Sequence, residues 1–192
     1  KKTIIVQDLK KKAKKPAFIE LLPGFQAAYD FIGNDGDQLL LRTDDGAPRG
    51  RIIAVDVKKP AREQWQERVA EAEATLRGAN IVGGRLVLSY LDKATSRLAI
   101  HAMSGEHERD VKLPGLGSAS GIAGEPEHTE GFFSFTSFAV PSSVYRVDVG
   151  TGAVETFKAP TLKFDPNDFE VSQVFYPSKD GTSVPMFIAH KK

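Results

Sequence analysis

Short runs of alternating apolar and polar residues recur along the chain at a constant distance. RIIAVDV, RLAIHAM and SVYRVDV begin at residues 51, 97 and 143, so successive copies start 46 residues apart. Each run alternates its side chains in the way expected of a half-buried β-strand. Because the same register recurs, the pattern predicts a repeat architecture built from strands.

Further strand-like runs accompany each copy of this repeat. A run that begins with glycine lies ahead of each copy, at Gly36, Gly84 and Gly131. Another short run precedes that glycine, and a fourth follows the repeated segment after a polar turn. Four short antiparallel strands in every period of about 40 to 50 residues are typical of a β-propeller blade. We therefore predict an all-β chain that forms a partial β-propeller.

The repeat also predicts how the blades divide the chain. Residues 1–24 align with the outer two strands of a blade, since Asp8 of TIIVQDL stands 48 residues before Asp56. Residues 25–160 hold three complete four-stranded blades. We therefore expect half a blade and three full blades over residues 1–160.

The end of the chain does not follow the repeat. FYPSKDGTSVPMFIAHKK, residues 175–192, has the pattern of a β-hairpin around an Asp-Gly turn. A closed propeller typically has about 4 to 8 blades, and the chain begins at Lys1 in the middle of one. We therefore expect a segment of a longer protein, with open blade edges that favour self-association.

One stretch within the blades allows two interpretations. AREQWQERVAEAEATL, residues 61–76, is rich in helix-forming residues and has Trp65, Val69, Ala72 and Leu76 at helical spacing. The repeat instead requires an outer strand followed by a polar connection. We favour the strand, because no other segment is left for that position, and a helix is the alternative.

Composition excludes several classes of function. The 26 Lys and Arg residues balance 25 Asp and Glu residues, and a net charge of +1 favours neither nucleic acid nor an acidic membrane surface. The basic run from Lys10 to Lys15 has no interleaved aromatic residue and is interpreted as a solvated loop. No cysteine is present, and no apolar stretch approaches the roughly 20 residues of a membrane span. We predict a soluble chain, either cytoplasmic or periplasmic.

The sequence lacks the motifs of common catalytic and metal sites. Its four histidines have no HExxH spacing, and its Asp-Gly turns lack the spacing of a calcium loop. GLGSASG, residues 115–121, is followed by a strand-like run rather than the helix that a phosphate loop requires. No G-x-S-x-G nucleophile motif occurs. We therefore predict no metal, no cofactor and no catalytic residue within this chain.

Three stretches resemble a known family of peptidases. FFSFTSFAVPSSVYRVD, TDDGAPRGRI and VFYPSKDGTSVPMFIAHKK are similar to the later propeller blades and domain junction of the prolyl oligopeptidase family. The resemblance covers nearly the whole chain. It implies a seven-bladed propeller that caps an α/β-hydrolase domain, in a serine peptidase that cleaves short peptides after proline.

The resemblance also implies what this chain contributes. The Ser, Asp and His of the family's catalytic triad lie beyond the junction, and no residue here matches a triad position. The chain is therefore expected to be inactive alone and to act as a lid and size filter that admits short peptides. The alternative is a free-standing propeller-like protein-interaction module.

The resemblance places the junction between the two domains near the end of the chain. The segment from Thr161 to Phe169, which includes Phe164, would be one of two interdomain strands that act as a hinge. Residues 161–192 would thus comprise the hinge and the first hairpin of the hydrolase domain. That hairpin would include Tyr176, Pro177, Ser178, Lys179, Asp180 and Gly181. The expected partners are the hydrolase domain of the same protein and short proline-containing peptides.

Three arginines flank a turn of the first complete blade. In such a blade, the loop between the second and third strands lies on the same face as the connections between blades. RTDDGAPRGR, from Arg42, would therefore share a face with AEAEATL. Arg42, Arg49 and Arg51 are candidates to contact a partner domain or a peptide carboxylate, although solvated loop residues are the favoured interpretation.

Overall fold

Antiparallel pairing of neighbouring runs forms every sheet in the described part of the chain. The structure is a computed structural model and describes residues 3–7, 18–22 and 27–192. The chain divides into two compact units, residues 1–73 and 74–192.

The first unit contains a two-stranded sheet and a four-stranded sheet. The two-stranded sheet pairs β1 (Ile4–Gln7) with β2 (Phe18–Leu22). The four-stranded sheet runs in chain order through β3 (Tyr29–Asp35), β4 (Gln38–Thr43), β5 (Arg51–Asp56) and β6 (Gln66–Val69). Leucines of β2 pack with Leu41 of β4 and Ile53 of β5 in one buried cluster.

The third sheet opens the second unit and also follows chain order. It consists of β7 (Thr75–Val82), β8 (Arg85–Asp92), β9 (Thr95–Ala102) and β10 (His107–Val111). Its apolar side chains share a core with those of the next sheet, including Val87, Ile100 and Phe133.

The fourth sheet is built around β13 (Glu130–Thr136). Its first strand is interrupted, because β11 (Ser118–Ala119) and β12 (Ala123–Gly124) pair separately with β13. The sheet continues through β14 (Ser143–Asp148) and β15 (Val154–Lys158).

The predicted repeat is confirmed strand by strand. The three similar runs become β5, β9 and β14, which are the third strands of their sheets, and the glycine-led runs become β4, β8 and β13. The chain is all-β with open four-stranded sheets, as predicted for a partial propeller. Asp8 and the run from Lys10 to Lys15 lie outside the described residues. The boundaries at residues 24 and 160 stay predictions.

The stretch from 61 to 76 forms no α-helix, so the strand interpretation is confirmed. A 3₁₀ turn over Arg62–Gln64 precedes β6, and Leu76 already belongs to β7. Val69 pairs with Ile52 in the ladder between β5 and β6. The helical spacing therefore joins residues that belong to two different strands.

The prediction of a strand from Thr161 to Phe169 is wrong for all but its last residue. Residues 161–168 are irregular up to a 3₁₀ turn over Pro166–Asp168. Asp165 stabilises that turn by accepting a 2.9 Å hydrogen bond from the backbone N–H of Asn167. Pro166 stands at the start of this turn, where the fixed φ of proline is compatible with a helical conformation, and strand pairing begins only at Phe169.

Pairing begins with β16 (Phe169–Pro177), which forms a separate hairpin with β17 (Ser183–Lys191). Within the described residues, no helix has the length and apolarity needed to cross a membrane.

Candidate functional site

The C-terminal hairpin is long and regular. Nine residue pairs join β16 to β17, from Phe169 opposite Lys191 to Pro177 opposite Ser183, without a bulge. Its turn closes through a 2.8 Å hydrogen bond from the N–H of Ser178 to the carbonyl of Thr182. The sequence pattern therefore predicted the turn correctly. It identified only the last part of the first strand, because the pattern was traced from residue 175 and β16 begins at Phe169.

The turn itself depends on Asp180 and Gly181. Gly181 adopts a left-handed conformation with φ +82°, which favours glycine. A hydrogen bond from the backbone N–H of Thr182 stabilises the carboxylate of Asp180 and lowers its pKa. The side chains of this turn are exposed, so the predicted junction residues Ser178 and Lys179 lie on an open tip.

One side of the hairpin presents apolar side chains to solvent. Val174 lies opposite Met186, and the adjacent same-side pairs contribute Tyr176 and Ile188. We call these four residues the apolar face of the hairpin. All four are exposed, with Met186 at 43%. Contiguous exposed apolar side chains of this kind mark surfaces that bind a partner.

The opposite side of the hairpin contacts the sheets of the same unit. The side-chain amide of Gln173 donates a 2.5 Å hydrogen bond to the carbonyl of Lys93. The ring of Phe187 lies 5.5 Å from that of Phe138, measured between centroids. Lys93 lies in the turn between β8 and β9, and Phe138 in the loop between β13 and β14. The hairpin is therefore seated on loops that join the second and third strands of two successive sheets.

The predicted hinge residues Phe164 and Phe169 lie next to one another. Their rings meet edge to face with centroids 5.7 Å apart. Phe164 is nevertheless exposed, and Phe169 is half-buried at the first pair of the hairpin. This contact joins the irregular segment to the hairpin, and the hinge role of both residues stays a prediction.

The three candidate arginines, Arg42, Arg49 and Arg51, form their contacts within the first unit. Each is paired with a carboxylate: Arg42 with Asp30, Arg49 with Glu71 and Arg51 with Glu67. The guanidinium of Arg49 also donates a 3.1 Å hydrogen bond to the carbonyl of Glu73. Arg49 thus contacts the AEAEATL connection, with which its loop was predicted to share a face, and the role of the three arginines as contacts to a partner stays a prediction.

A polar network holds the same loop at Asp45. Its carboxylate accepts 2.7 Å hydrogen bonds from the hydroxyl of Tyr29 and the guanidinium of Arg62. Burial, together with the hydrogen bond to Asp45, raises the pKa of Tyr29 to about 12. Burial also acts to raise the pKa of Asp45, but the hydrogen bonds from Tyr29 and Arg62 outweigh it and lower that pKa. These hydrogen bonds hold the loop to β3 and to the 3₁₀ turn, and they give the Asp45 carboxylate a partner for each of its oxygens.

Sequence reasoning missed the residues that seat the hairpin. The contacts are made by Gln173, Phe138 and Phe187. Each of these residues lies in a stretch for which the sequence indicated no contact of this kind. Phe138, the second phenylalanine of SFTSFAVP, was a signal available in the sequence, because an apolar residue in a loop often packs on another element. Among the described residues, no group of three or more His, Asp or Glu is arranged to hold a metal ion.

Comparison with known proteins matches most of the chain to one family. The family model described as "Prolyl oligopeptidase, N-terminal beta-propeller domain" matches residues 1–160. A prolyl endopeptidase of Elizabethkingia miricola is 34% identical over 189 residues, which cover 98% of this chain and 26% of the relative. One of Dictyostelium discoideum is 32% identical, over 94% of this chain and 25% of its own length. The chain thus spans about a quarter of the length of these curated relatives.

Solved structures show the same relationship in three dimensions. A prolyl endopeptidase structure from a study of inter-domain dynamics in catalysis and specificity has a TM-score of 0.82 at 40% identity, covering 93% of this chain and 26% of that one. Prolyl oligopeptidase B of Galerina marginata, without ligand, gives 0.87 at 25% identity, covering 98% of this chain and 28% of that one. The comparisons do not support the self-association expected from open edges. In these relatives the matched segment is about a quarter of a longer single chain.

The resemblance drawn from the sequence is therefore confirmed by both kinds of comparison. The repeat, the four-stranded sheets and the matched range agree on the same part of the molecule. The chain belongs to the prolyl oligopeptidase family, and residues 1–160 match its N-terminal β-propeller domain.

Proposed function

We propose that this chain is a non-catalytic β-propeller segment of a proline-specific serine endopeptidase. In that role it serves as a lid and size filter that admits short proline-containing peptides to a hydrolase active site. The observation that carries the proposal is the hairpin, whose apolar face is exposed although Gln173 and Phe187 on its other side contact loops of the same unit. A catalytic domain of the same protein would cover that face.

The extent of the matches supports this assignment. The propeller model ends at residue 160, and the hairpin begins at Phe169. The Elizabethkingia miricola relative nevertheless matches 98% of this chain. The hairpin is thus a feature shared with a prolyl endopeptidase but outside the propeller model, as expected of a junction between domains.

The contacts of the hairpin suggest how a lid could open. Two side chains, Gln173 and Phe187, hold the hairpin to exposed loops by one hydrogen bond and one ring contact. Breaking such exposed contacts costs about 1 kcal/mol each. A catalytic domain fixed to the hairpin could therefore move relative to the loops without disturbing the buried sheets. Such gating admits flexible peptides, excludes folded proteins and keeps water from the reaction.

A reversible cross-link tests this role in the natural protein. Phe138→Cys with Phe187→Cys puts one thiol on each side of this ring contact, in a segment that has no other cysteine, and a short bis-maleimide linker with an internal disulfide can bridge them. We expect the linked form to lose cleavage of long peptides more than cleavage of a short chromogenic peptide. Reduction should restore both activities, because the link and not the substitutions causes the loss.

A second pair of phenylalanines supplies the matched control. Phe132 and Phe157 lie 5.0 Å apart within the fourth sheet, so a link between them joins residues that already share one sheet. This control should leave the length dependence of cleavage unchanged. Equal effects of the two links, or no effect of the first link, would contradict the lid.

The length of the natural protein provides an independent check. Since the chain covers about a quarter of its relatives, an intact-mass measurement on the protein isolated from its source should show a chain about four times as long. A natural chain of 192 residues would contradict the proposed catalytic domain.

A further inference from the structure

A cavity opens between the third and fourth sheets of the second unit. Its volume is about 460 Å³, within the range of about 300 to 1,000 Å³ typical of ligand sites. Its walls come from β7, β8, the start of β9 and the interrupted first strand of the fourth sheet. Asn80, Ser89 and Ser96 supply polar side chains to the lining, and Arg77 is the single charged residue in it.

Arg77 reaches this cavity because the strand that carries it contains one extra residue. Leu76 pairs with Tyr90, and Gly78 pairs with Ser89, the next residue back along β8. Arg77 therefore has no partner in the ladder and forms a β-bulge, a feature that re-aims a side chain and is common beside binding sites. A Cβ at Gly78 would lie 3.1 Å from the hydroxyl oxygen of Ser89, so glycine keeps the bulge close to β8.

The charge on Arg77 is not neutralised within the described residues. Nine of the ten arginines lie within 4.0 Å of an Asp or Glu carboxylate, and Arg77 is the exception in the part of the chain that the structure describes. Arg77 is also exposed to the solvent of the cavity. The cavity lining thus presents a positive charge with no acid to offset it.

The polar groups around Arg77 are held in place by the neighbouring strand. The side-chain amide of Asn80 donates a 2.7 Å hydrogen bond to the carbonyl of Ile122, which leaves its oxygen as an acceptor. The hydroxyl of Ser96 accepts a 2.9 Å hydrogen bond from the N–H of Ala119. The walls are therefore fixed by bonds between the two sheets.

The cavity lies at the end of the third sheet on which the hairpin is seated. Leu91 belongs to its lining, and Lys93, two residues further on, accepts the hydrogen bond from Gln173. If the hairpin leads into a catalytic domain, as proposed above, the end of the cavity at Leu91 lies near that domain.

We infer that this cavity binds a carboxylate of a peptide substrate through the guanidinium of Arg77. A guanidinium matches a carboxylate with two parallel hydrogen bonds, and the oxygen of Asn80 can accept from a peptide N–H. The concave shape fits the end or a side chain of a peptide. This inference rests on the proposed function, since it names a substrate feature recognised within the same peptidase.

Peptide binding to the 192-residue chain tests the site without any hydrolysis. The probe is a short proline-containing peptide with a blocked amino terminus, prepared with a free carboxyl terminus, with an amidated one, and amidated with one internal Glu. By calorimetry we expect at least one of the two carboxylate peptides to bind about tenfold or more tightly than the neutral amide. The comparison of the terminal with the internal carboxylate identifies which source the site prefers.

Substitutions then show whether Arg77 is responsible for the preference for carboxylate peptides. R77Q should abolish the preference for carboxylate, and R77K should retain part of it. R146Q removes the same charge from a guanidinium already paired with Glu130 and Glu155, and should keep the preference. Equal affinities of the wild-type chain for all three peptides, or equal losses in R77Q and R146Q, would overturn the inference.

Kinetics of the natural protein separate a peptide carboxylate from a carboxylate of the catalytic domain. With a peptide ligand, R77Q raises KM for the carboxylate peptide, leaves kcat unchanged and does not alter the KM of the amide. Equal changes for both peptides would assign Arg77 to the domain interface and overturn the inference. Neither result depends on the cross-link that tests the lid, so a failure of this inference can be distinguished from a failure of the lid proposal.

Discussion

Phe135 of the fourth sheet is fully buried, whereas Met186 of the hairpin is 43% exposed, although both lie on antiparallel strands of one unit. The third and fourth sheets enclose their apolar side chains in a shared core that includes Phe133 and Val147. The hairpin has equally regular pairing, but its apolar face meets no described residue that buries it. Regular strand pairing and core formation are thus separate properties, and the hairpin has only the first of them within this unit.

The largest expected difference between the two regions is in stability. Phe135→Ala leaves a cavity in the shared core and should lower the free energy of unfolding by about 3–5 kcal/mol. Met186→Ala removes an exposed side chain and should change it by no more than about 0.5 kcal/mol. Urea denaturation of both variants measures the contrast. Similar losses would show that the hairpin has its own buried core.

A buried tyrosine and an exposed one provide the next comparison. The pKa of Tyr29 is raised by burial to about 12, so the unfolded chain loses this proton first as pH rises above 10. The stability contributed by Tyr29 is therefore complete below pH 10 and is lost toward pH 12, by about 2 kcal/mol. The fluorescence of Trp65, which packs edge-on against Tyr29, follows unfolding locally.

Two substitutions separate this effect from a general alkaline transition. Tyr29→Phe should remove most of the loss between pH 10 and 12, at the cost of lower stability at neutral pH. Tyr176→Phe, at an exposed position of the hairpin, should leave the pH dependence unchanged. A flat profile in the unmodified chain would refute the role of the Asp45 network.

The buried side chain of His101 gives the smallest expected effect, a change of stability between pH 7 and 5. His101 is buried at β9, where its Nδ1 lies 2.9 Å from the carbonyl of Gly105. Burial lowers its pKa and outweighs the hydrogen bond with Gly105, which acts to raise it; the charges of His107 and Arg97 lower the pKa further, and that of Asp110 opposes them.

Because the folded form binds the proton less readily than the unfolded form, stability falls as pH decreases below about 6.5. Denaturation between pH 7 and 5 should show a modest loss that His101→Gln reduces and that His190→Gln, in the exposed hairpin, does not. A loss of stability that His190→Gln reduces and His101→Gln does not would contradict the assignment of this effect to His101.

The repeat made most of the fold predictable from sequence. RIIAVDV, RLAIHAM and SVYRVDV fixed the third strand of each sheet, and the glycine-led runs fixed the second. The helical spacing of apolar residues was misleading, because Val69 and Leu76, which fit it, belong to two different strands. The segment ending at Phe169 was expected to be a strand, but residues 161–168 are irregular up to a 3₁₀ turn over Pro166–Asp168.

The candidate sites were much less predictable, because pairing between distant residues decides them. Arg42, Arg49 and Arg51 drew attention through their crowded loop, yet each has a carboxylate partner that sequence reasoning did not identify. Arg77 has no motif, and only the bulge against β8 shows that it lines a cavity. The contact of Gln173 with Lys93 spans 80 residues and has no local signal.

Hydrolysis of a proline-containing peptide by the purified 192-residue chain, measured beside the natural protein, tests the account most directly. If the sheets and the hairpin form a non-catalytic lid, the natural protein cleaves after proline and the isolated chain produces no cleavage above the uncatalysed rate. Sustained cleavage after proline by the isolated chain, abolished by a serine-directed inhibitor, would contradict the account.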